Sequence, residues 1–255
     1  MRPIDTLLTT IVLLILLAIA SAALRKRSER TRRRVLIIAS LATIAVFIVY
    51  KVVLFNDREF DRITASMDGF NWWGELPLHL CNINMVLMPF AVHWDSRPLK
   101  SFCFFVGPLG AMMALFMPGL GFNGYPIWLP RMLCYYGTHF AIMLEGLALA
   151  TLGLYRPRFR DVPVTVVTLL LITLAAFCIN LILRATGLHP KANYFFSVET
   201  EGNAILELFH RWIPVPFLYL LPGTTILVAY MAVMMAVVTG VEGLCGRIPP
   251  DPKRR

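Results

Sequence analysis

Residues 4–34 read IDTLLTTIVLLILLAIASAALRKRSERTRRR, a largely apolar run from Ile4 to Leu24 followed at once by Arg25, Lys26, Arg27, Arg30, Arg32, Arg33 and Arg34. About 20 mainly apolar residues are what a helix needs to cross hydrocarbon, and a dense cationic flank marks its cytoplasmic end. Ala20-Ser21-Ala22 resembles a signal-peptidase site. The cations follow the apolar run instead of preceding it, however, which is the reverse of a secretory signal. The stretch reads as a retained helix whose N-terminus is outside.

Working outward, six further apolar stretches (35–55, 76–93, 99–117, 127–153, 162–184 and 215–241) join the first at 4–24. Backbone groups in lipid must be paired internally. The expected fold is therefore all-α: a polytopic, seven-transmembrane-helix bundle, with residues 1–255 forming a single membrane domain. The alternating ten-residue segments of a β-barrel do not occur. Composition agrees, with 58% hydrophobic and 15% charged residues and a mean hydropathy of +0.68. Soluble domains are about 45–50% apolar and about 25% charged, so a soluble or disordered chain is excluded.

The net charge of +9 comes from 24 Lys and Arg against 15 Asp and Glu, placed almost wholly between the apolar runs. That placement orients a membrane protein and gives no reason to invoke nucleic acid. Segments 25–34, 94–100, 155–161 and 242–255 carry 16 of the 24 cations. These are the cytoplasmic segments, so the N-terminus is expected outside, the C-terminus in the cytoplasm, and the protein in the plasma membrane.

Four of the five cysteines, Cys81, Cys103, Cys134 and Cys178, fall in or near apolar runs, which argues against a disulfide framework. Gly119, Gly121 and Gly124 satisfy GxGxxG but follow no strand, so no dinucleotide cofactor is implied. There is no HExxH, EF-hand or P-loop pattern, and His79 with Cys81 is too sparse for zinc. No Lys in the last stretch is available for a retinal Schiff base.

An ionisable residue inside a span is expensive, so each one marks a candidate site. The densest group is Glu75-Leu76-Pro77-Leu78-His79-Leu80-Cys81-Asn82-Ile83-Asn84, at the outer end of the third stretch. Pro77 suits a first helical turn, which puts Cys81 about one turn inside the helix. Free N–H groups and the helix dipole there favour a thiolate. Cys81 reads either as a nucleophile or as a small packing residue. His79 lies two residues away, about 200° around the helix, so a base for Cys81 has to come from another helix.

His139 in Tyr135-Tyr136-Gly137-Thr138-His139-Phe140 is the candidate base, with Tyr135 and Tyr136 on its face to offer hydroxyls. The competing reading is an interhelical hydrogen-bonding residue. Glu145, the only acid deep in a span, lies on another face with Thr138 and reads as a structural or proton-carrying group. Arg184, on a face with Asn180, either meets a lipid phosphate or snorkels to the interface. Asn193-Tyr194-Phe195-Phe196, in the long connection 185–214, reads as an interfacial anchor or a substrate contact.

Leu76-Pro77-Leu78-His79-Leu80-Cys81, with Trp72 and Trp73 upstream, resembles the signature of the YwaF / transmembrane protein 164 family. His139, Asn193-Tyr194 and the stretch from Pro214 to Pro222 extend the resemblance over residues 72–222. It implies a polytopic membrane fold and, for the animal members, an acyltransferase that moves a fatty acyl chain between glycerophospholipids through a cysteine. On that basis Cys81 matches the acyl-accepting cysteine and His139 its partner. His79, Asn82, Glu145, Arg184, Asn193 and Tyr194 become supporting or substrate-binding positions. Phospholipids and lysophospholipids are the implied partners, with the site toward the outer leaflet and no cofactor or metal. The alternative is a small-molecule or lipid transporter with a polar path through His79, Asn82, Asn84, His139 and Glu145.

Overall fold

All seven apolar stretches become helical, with bounds set by local signals. The computed structural model describes residues 3–67, 69–119 and 121–245; Arg2, Asp68 and the basic tail 246–255, used in the charge reading, lie outside them. The long helices are α1 (Pro3–Arg25), α2 (Glu29–Phe55), α5 (Arg97–Phe116), α6 (Pro130–Thr151), α7 (Asp161–Ala185) and α9 (Gly223–Cys245). Three shorter ones are α3 (Arg58–Ile63), α4 (Leu80–His93) and α8 (Ala204–Trp212). Ser28 caps α2 by accepting from the Thr31 N–H at 3.2 Å. Pro130 opens α6 at the position where a missing N–H loses no bond.

Among the described residues, six helices are long and apolar enough to cross a membrane: α1, α2, α5, α6, α7 and a segment from Leu218 to Val241 that contains most of α9. The third expected span is not among them. Its helix, α4, has 14 residues, about 21 Å at 1.5 Å per residue against about 30 Å of hydrocarbon. Pro77 does not sit in its first turn as the spacing predicts. It disfavours helical backbone at Leu76, the Leu78 N–H closes a turn onto the Leu76 carbonyl at 2.7 Å, and the Leu76 N–H donates to the Tyr194 hydroxyl at 3.1 Å. With those groups satisfied outside a helix, α4 starts only at Leu80, and His79 takes the extended cap position.

Charged side chains gather at the two ends of the bundle. At one end Arg33 pairs with Asp95 at 2.5 Å, Arg97 with Asp161 at 2.7 Å, Arg25 donates to the Thr151 carbonyl at 2.7 Å, and Lys100 donates to the Leu154 carbonyl at 2.9 Å. At the other end Lys51 pairs with Glu75 at 2.5 Å, and buried Arg131 holds Asp57 at 2.7 Å and Glu59 at 2.9 Å. Between these rims, α4 packs against α2 and α5, and α6 against α2 and α5. Large apolar side chains of α1 and α2, such as Ile11, Ile15, Ile38 and Ile48, stay exposed, as a lipid-facing surface requires.

The α5–α6 contact is close because Gly146 has no side chain. A Cβ there would lie 2.7 Å from Pro108 Cδ and 2.9 Å from the Cys103 carbonyl oxygen, neither of which can swing aside, whereas one on Gly137 would meet nothing within 4 Å. Gly146→Ala should therefore destabilise by about 1–3 kcal/mol through overpacking, while Gly137→Ala should stabilise by up to about 1 kcal/mol through helix propensity. Melting temperatures in one detergent check this, and equal shifts for the two would contradict the packing account.

Burial alone would push the Asp57 carboxyl up, but hydrogen bonds from Arg131 and the Phe60 N–H, with the guanidinium charge, hold it below the usual range. A lowered folded value stabilises fully above the unfolded value of about 3.9, and the contribution is lost as pH falls through the folded value. Asp57→Asn should lower the melting temperature near neutrality and flatten its decline below about pH 4. An unchanged acid slope would show that the pair contributes nothing.

Candidate active site

Cys81 is the second residue of α4, and the first helical bond there runs from the Ile83 N–H to the His79 carbonyl at 2.9 Å. The N–H groups of Leu80, Cys81 and Asn82 thus have no partner within the helix. His139 is the tenth residue of α6, about 14 Å from its start, so the head of α4 lies deep in the bundle. The sulfur is 3.4 Å from His139 Nε2 and 3.6 Å from Asn82 Oδ1. Cys81 is 8% and His139 7% exposed.

The second ring nitrogen of His139 fixes the role of the first. Nδ1 lies 2.7 Å from the Tyr135 carbonyl oxygen, which can only accept, so Nδ1 carries the hydrogen. In the neutral ring Nε2 is then an acceptor facing the thiol. Tyr135 contributes through its backbone and not through the hydroxyl that its spacing suggests. Its OH donates instead to the Ala114 carbonyl at 2.8 Å, while its ring lies against the imidazole with centroids 4.4 Å apart.

The lead-in to α4 forms one wall. His79 packs edge-on against Tyr194, centroids 5.0 Å apart, with Phe196 at 6.5 Å. Tyr194 clamps the lead-in twice: its hydroxyl donates to the Trp73 carbonyl and accepts from Leu76. Burial pushes that phenol well above its ordinary value, so it stays neutral in this double role. Asn180 in turn holds Tyr194 by both main-chain groups, each at 2.9 Å, and Ser197 at 2.9 Å. Phe195, Phe196 and Phe217 have φ of 60°, 52° and 66°, strained for bulky residues and persistent only where neighbours over-determine them.

Four other residues singled out in the sequence lie apart from the Cys81–His139 pair. Glu145 accepts from Thr43 of α2 at 2.6 Å and does not pair with Thr138, which bonds the Cys134 carbonyl at 2.8 Å. Asn84 donates to the Leu80 carbonyl at 2.8 Å. Arg184 is committed to the Ala192 carbonyl and to Glu199, both at 2.7 Å, so it staples the long connection. Asn193 does the same, donating to the Glu199 carbonyl at 2.8 Å and to Glu201 at 2.7 Å. Tyr194 and Phe196 are the members of this segment that reach the α4 lead-in, both against His79.

Lys51 is a residue that the sequence reasoning missed. It pairs with Glu75, the first residue of the polar cluster, and lies 4.5 Å above the rings of both Phe47 and Tyr50. Its signal was available, as the single basic residue within the second apolar run.

Among the described residues no three His, Cys, Asp or Glu side chains converge as metal ligands would. The arrangement is that of a thiol, an oriented imidazole and free amide donors, which suits nucleophilic attack on a carbonyl followed by proton return. No curated protein and no solved structure matches the chain. The family model described as TMEM164 family matches residues 2–235, nearly the full length. The expectation raised by the Leu-Pro-Leu-His-Leu-Cys string therefore holds, and the chain belongs to the TMEM164 family.

Proposed function

We propose that the protein is a membrane-embedded phospholipid acyltransferase that works through a Cys81 thioester with His139 as acid and base. The observation that carries the reading is the 3.4 Å approach of the Cys81 sulfur to a ring nitrogen whose acceptor role is set by the Tyr135 carbonyl. The thiol gives its proton to Nε2 while sulfur attacks the ester carbonyl of a phospholipid. The Leu80, Cys81 and Asn82 N–H groups face the developing oxyanion. Collapse breaks the C–O bond, and His139 returns the proton to the departing glycerol oxygen, leaving a lysophospholipid and the thioester. The hydroxyl of a second lysophospholipid then loses its proton to Nε2, attacks the thioester and releases the thiolate, which recovers that proton.

Lys51, His79 and Tyr194 shape the surroundings without being needed for proton balance. The polar path of a carrier gains less support, because His79 is packed on Tyr194 and Glu145 on α2. For topology we take α4 and its lead-in together as a seventh crossing. The tight 94–96 turn between α4 and α5, and the pairing of Arg33 with Asp95, support a return through the bundle by this route. The N-terminus is then outside and the C-terminus cytoplasmic in the plasma membrane, with Cys81 approached from the outer leaflet.

Incubation with phospholipid followed by intact-protein mass spectrometry should reveal one hydroxylamine-labile acyl group, absent from Cys81→Ala. His139→Ala should slow its appearance by about 10²–10⁴-fold. Acylation that persists without Cys81 would place the chemistry elsewhere. For topology, external protease on intact cells should remove an N-terminal tag and spare a C-terminal one; matching behaviour of both tags would mean an even number of crossings.

A further inference from the structure

Helix α8 stands outside the bundle, and the acyl-transfer reading makes no use of it. Its sequence is AILELFHRW, and the preceding Asn203 caps it by accepting from the Ile205 N–H at 3.1 Å and the Leu206 N–H at 3.2 Å. One face is tied down. Phe209 is buried and would be 3.7 Å from a Cβ on Gly223, His210 meets the Tyr219 ring edge-on at 5.3 Å, and Glu207 accepts from Thr200. The remaining surface presents Ile205, Leu208 and Trp212, which are 51%, 44% and 63% exposed, with the Trp212 ring 5.8 Å from that of Phe209 at the border of the buried side. Spacings of three and four residues place them in one stripe.

This stripe does not stop where α8 ends. Val215, Leu218 and Leu221 continue it as exposed apolar side chains, and Leu218 opens the last membrane-crossing segment. Arg211 is exposed beside Trp212, where a guanidinium can reach a phosphate. We infer that α8 lies in the membrane plane, with its Ile205–Leu208–Trp212 stripe seated at the headgroup–acyl boundary of the leaflet on the Cys81 side and Arg211 against lipid phosphate. A protein partner on the stripe would have to extend onto the lipid-facing side of α9, whereas a phospholipid surface covers both without a break. Segregated polar and apolar faces ending in Trp and Arg are the pattern of interfacial helices.

The seating has a structural consequence. The Phe217 N–H donates to the Ser197 carbonyl at 2.7 Å, and Tyr219 donates to the Phe196 carbonyl. The segment carrying Tyr194 and Phe196 beside His79 is thus fastened to the same short stretch as α8. Immersion of α8 holds that wall at the depth of phospholipid ester groups, a consequence that rests on the acyl-transfer reading, although the seating itself does not.

Trp212 reports the seating directly. The full chain is reconstituted in phosphatidylcholine vesicles with either plain or brominated acyl chains. The Trp212 contribution is taken as wild-type emission less that of Trp212→Phe, an exchange at a largely exposed position that keeps an aromatic ring against Phe209. Brominated chains should remove most of this contribution, aqueous acrylamide should remove little, and in Leu208→Glu the two effects should exchange. Quenching by acrylamide alone in the wild type would place the stripe in water, and quenching by neither would mean that a protein covers it; both outcomes overturn the inference. So does unchanged bromolipid quenching in Leu208→Glu, since the bundle and not the stripe would then set the depth. The readout needs no acyl transfer, so loss of one reading leaves the other standing.

Discussion

Everything at the candidate site depends on the depth at which α4 begins. A helix start leaves N–H groups without intrahelical partners, and in a membrane interior there is no bulk water to take them up. Here the start lies beside His139, about 14 Å along α6. The chain can reach that depth without helical structure only because protein surrounds it. Tyr194 satisfies Leu76 and Trp73, and Asn180 satisfies Tyr194. The same constraint that makes the location costly leaves amide donors without intrahelical partners at the residue that carries the sulfur.

The two ionic rims fix what the apolar middle leaves free. Apolar helices in lipid have no hydrophobic reason to choose one rotation over another. Close approach at Gly146 and pairs such as Arg33–Asp95 and Arg131–Asp57 supply that choice. They tie α2 to the end of α4 at one rim and to the start of α6 at the other. That cross-tie brings Cys81 and His139, 58 positions apart, to 3.4 Å.

Much of this was legible in the sequence, and the exceptions have physical causes. Run length identified the helices because lipid allows a span few alternatives. It overran at α4, where a tertiary bond from a tyrosine 118 residues away competes with helix formation. The Cys81–His139 pair was found because polar groups in lipid are conspicuous. The same test, applied to basic residues, would have found Lys51. Arg184 reads as a phosphate contact or a snorkelling cation, and Asn193 as an interfacial anchor or substrate contact, because a linear sequence cannot show that their partners lie in the adjoining loop. The Tyr135 carbonyl could not be anticipated, since every residue has one and only backbone geometry selects it.

That carbonyl bears on how the proposed chemistry runs in a buried place. An isolated charge moved into an apolar interior is expensive, and a proton passing from Cys81 to His139 creates two charges at once. Neither one is isolated. The imidazolium keeps its Nδ1 bond to Tyr135, now charge-assisted and stronger, while the sulfur belongs to the first turn of α4, where unpaired N–H groups and the helix dipole favour negative charge. Both partners are in place before the proton moves, so no dipole has to turn when it does. A site arranged in this way gains little from water, and its burial among Met85, Met132, Tyr135 and Tyr136 favours an acceptor hydroxyl carried in on a lipid over one drawn from solution.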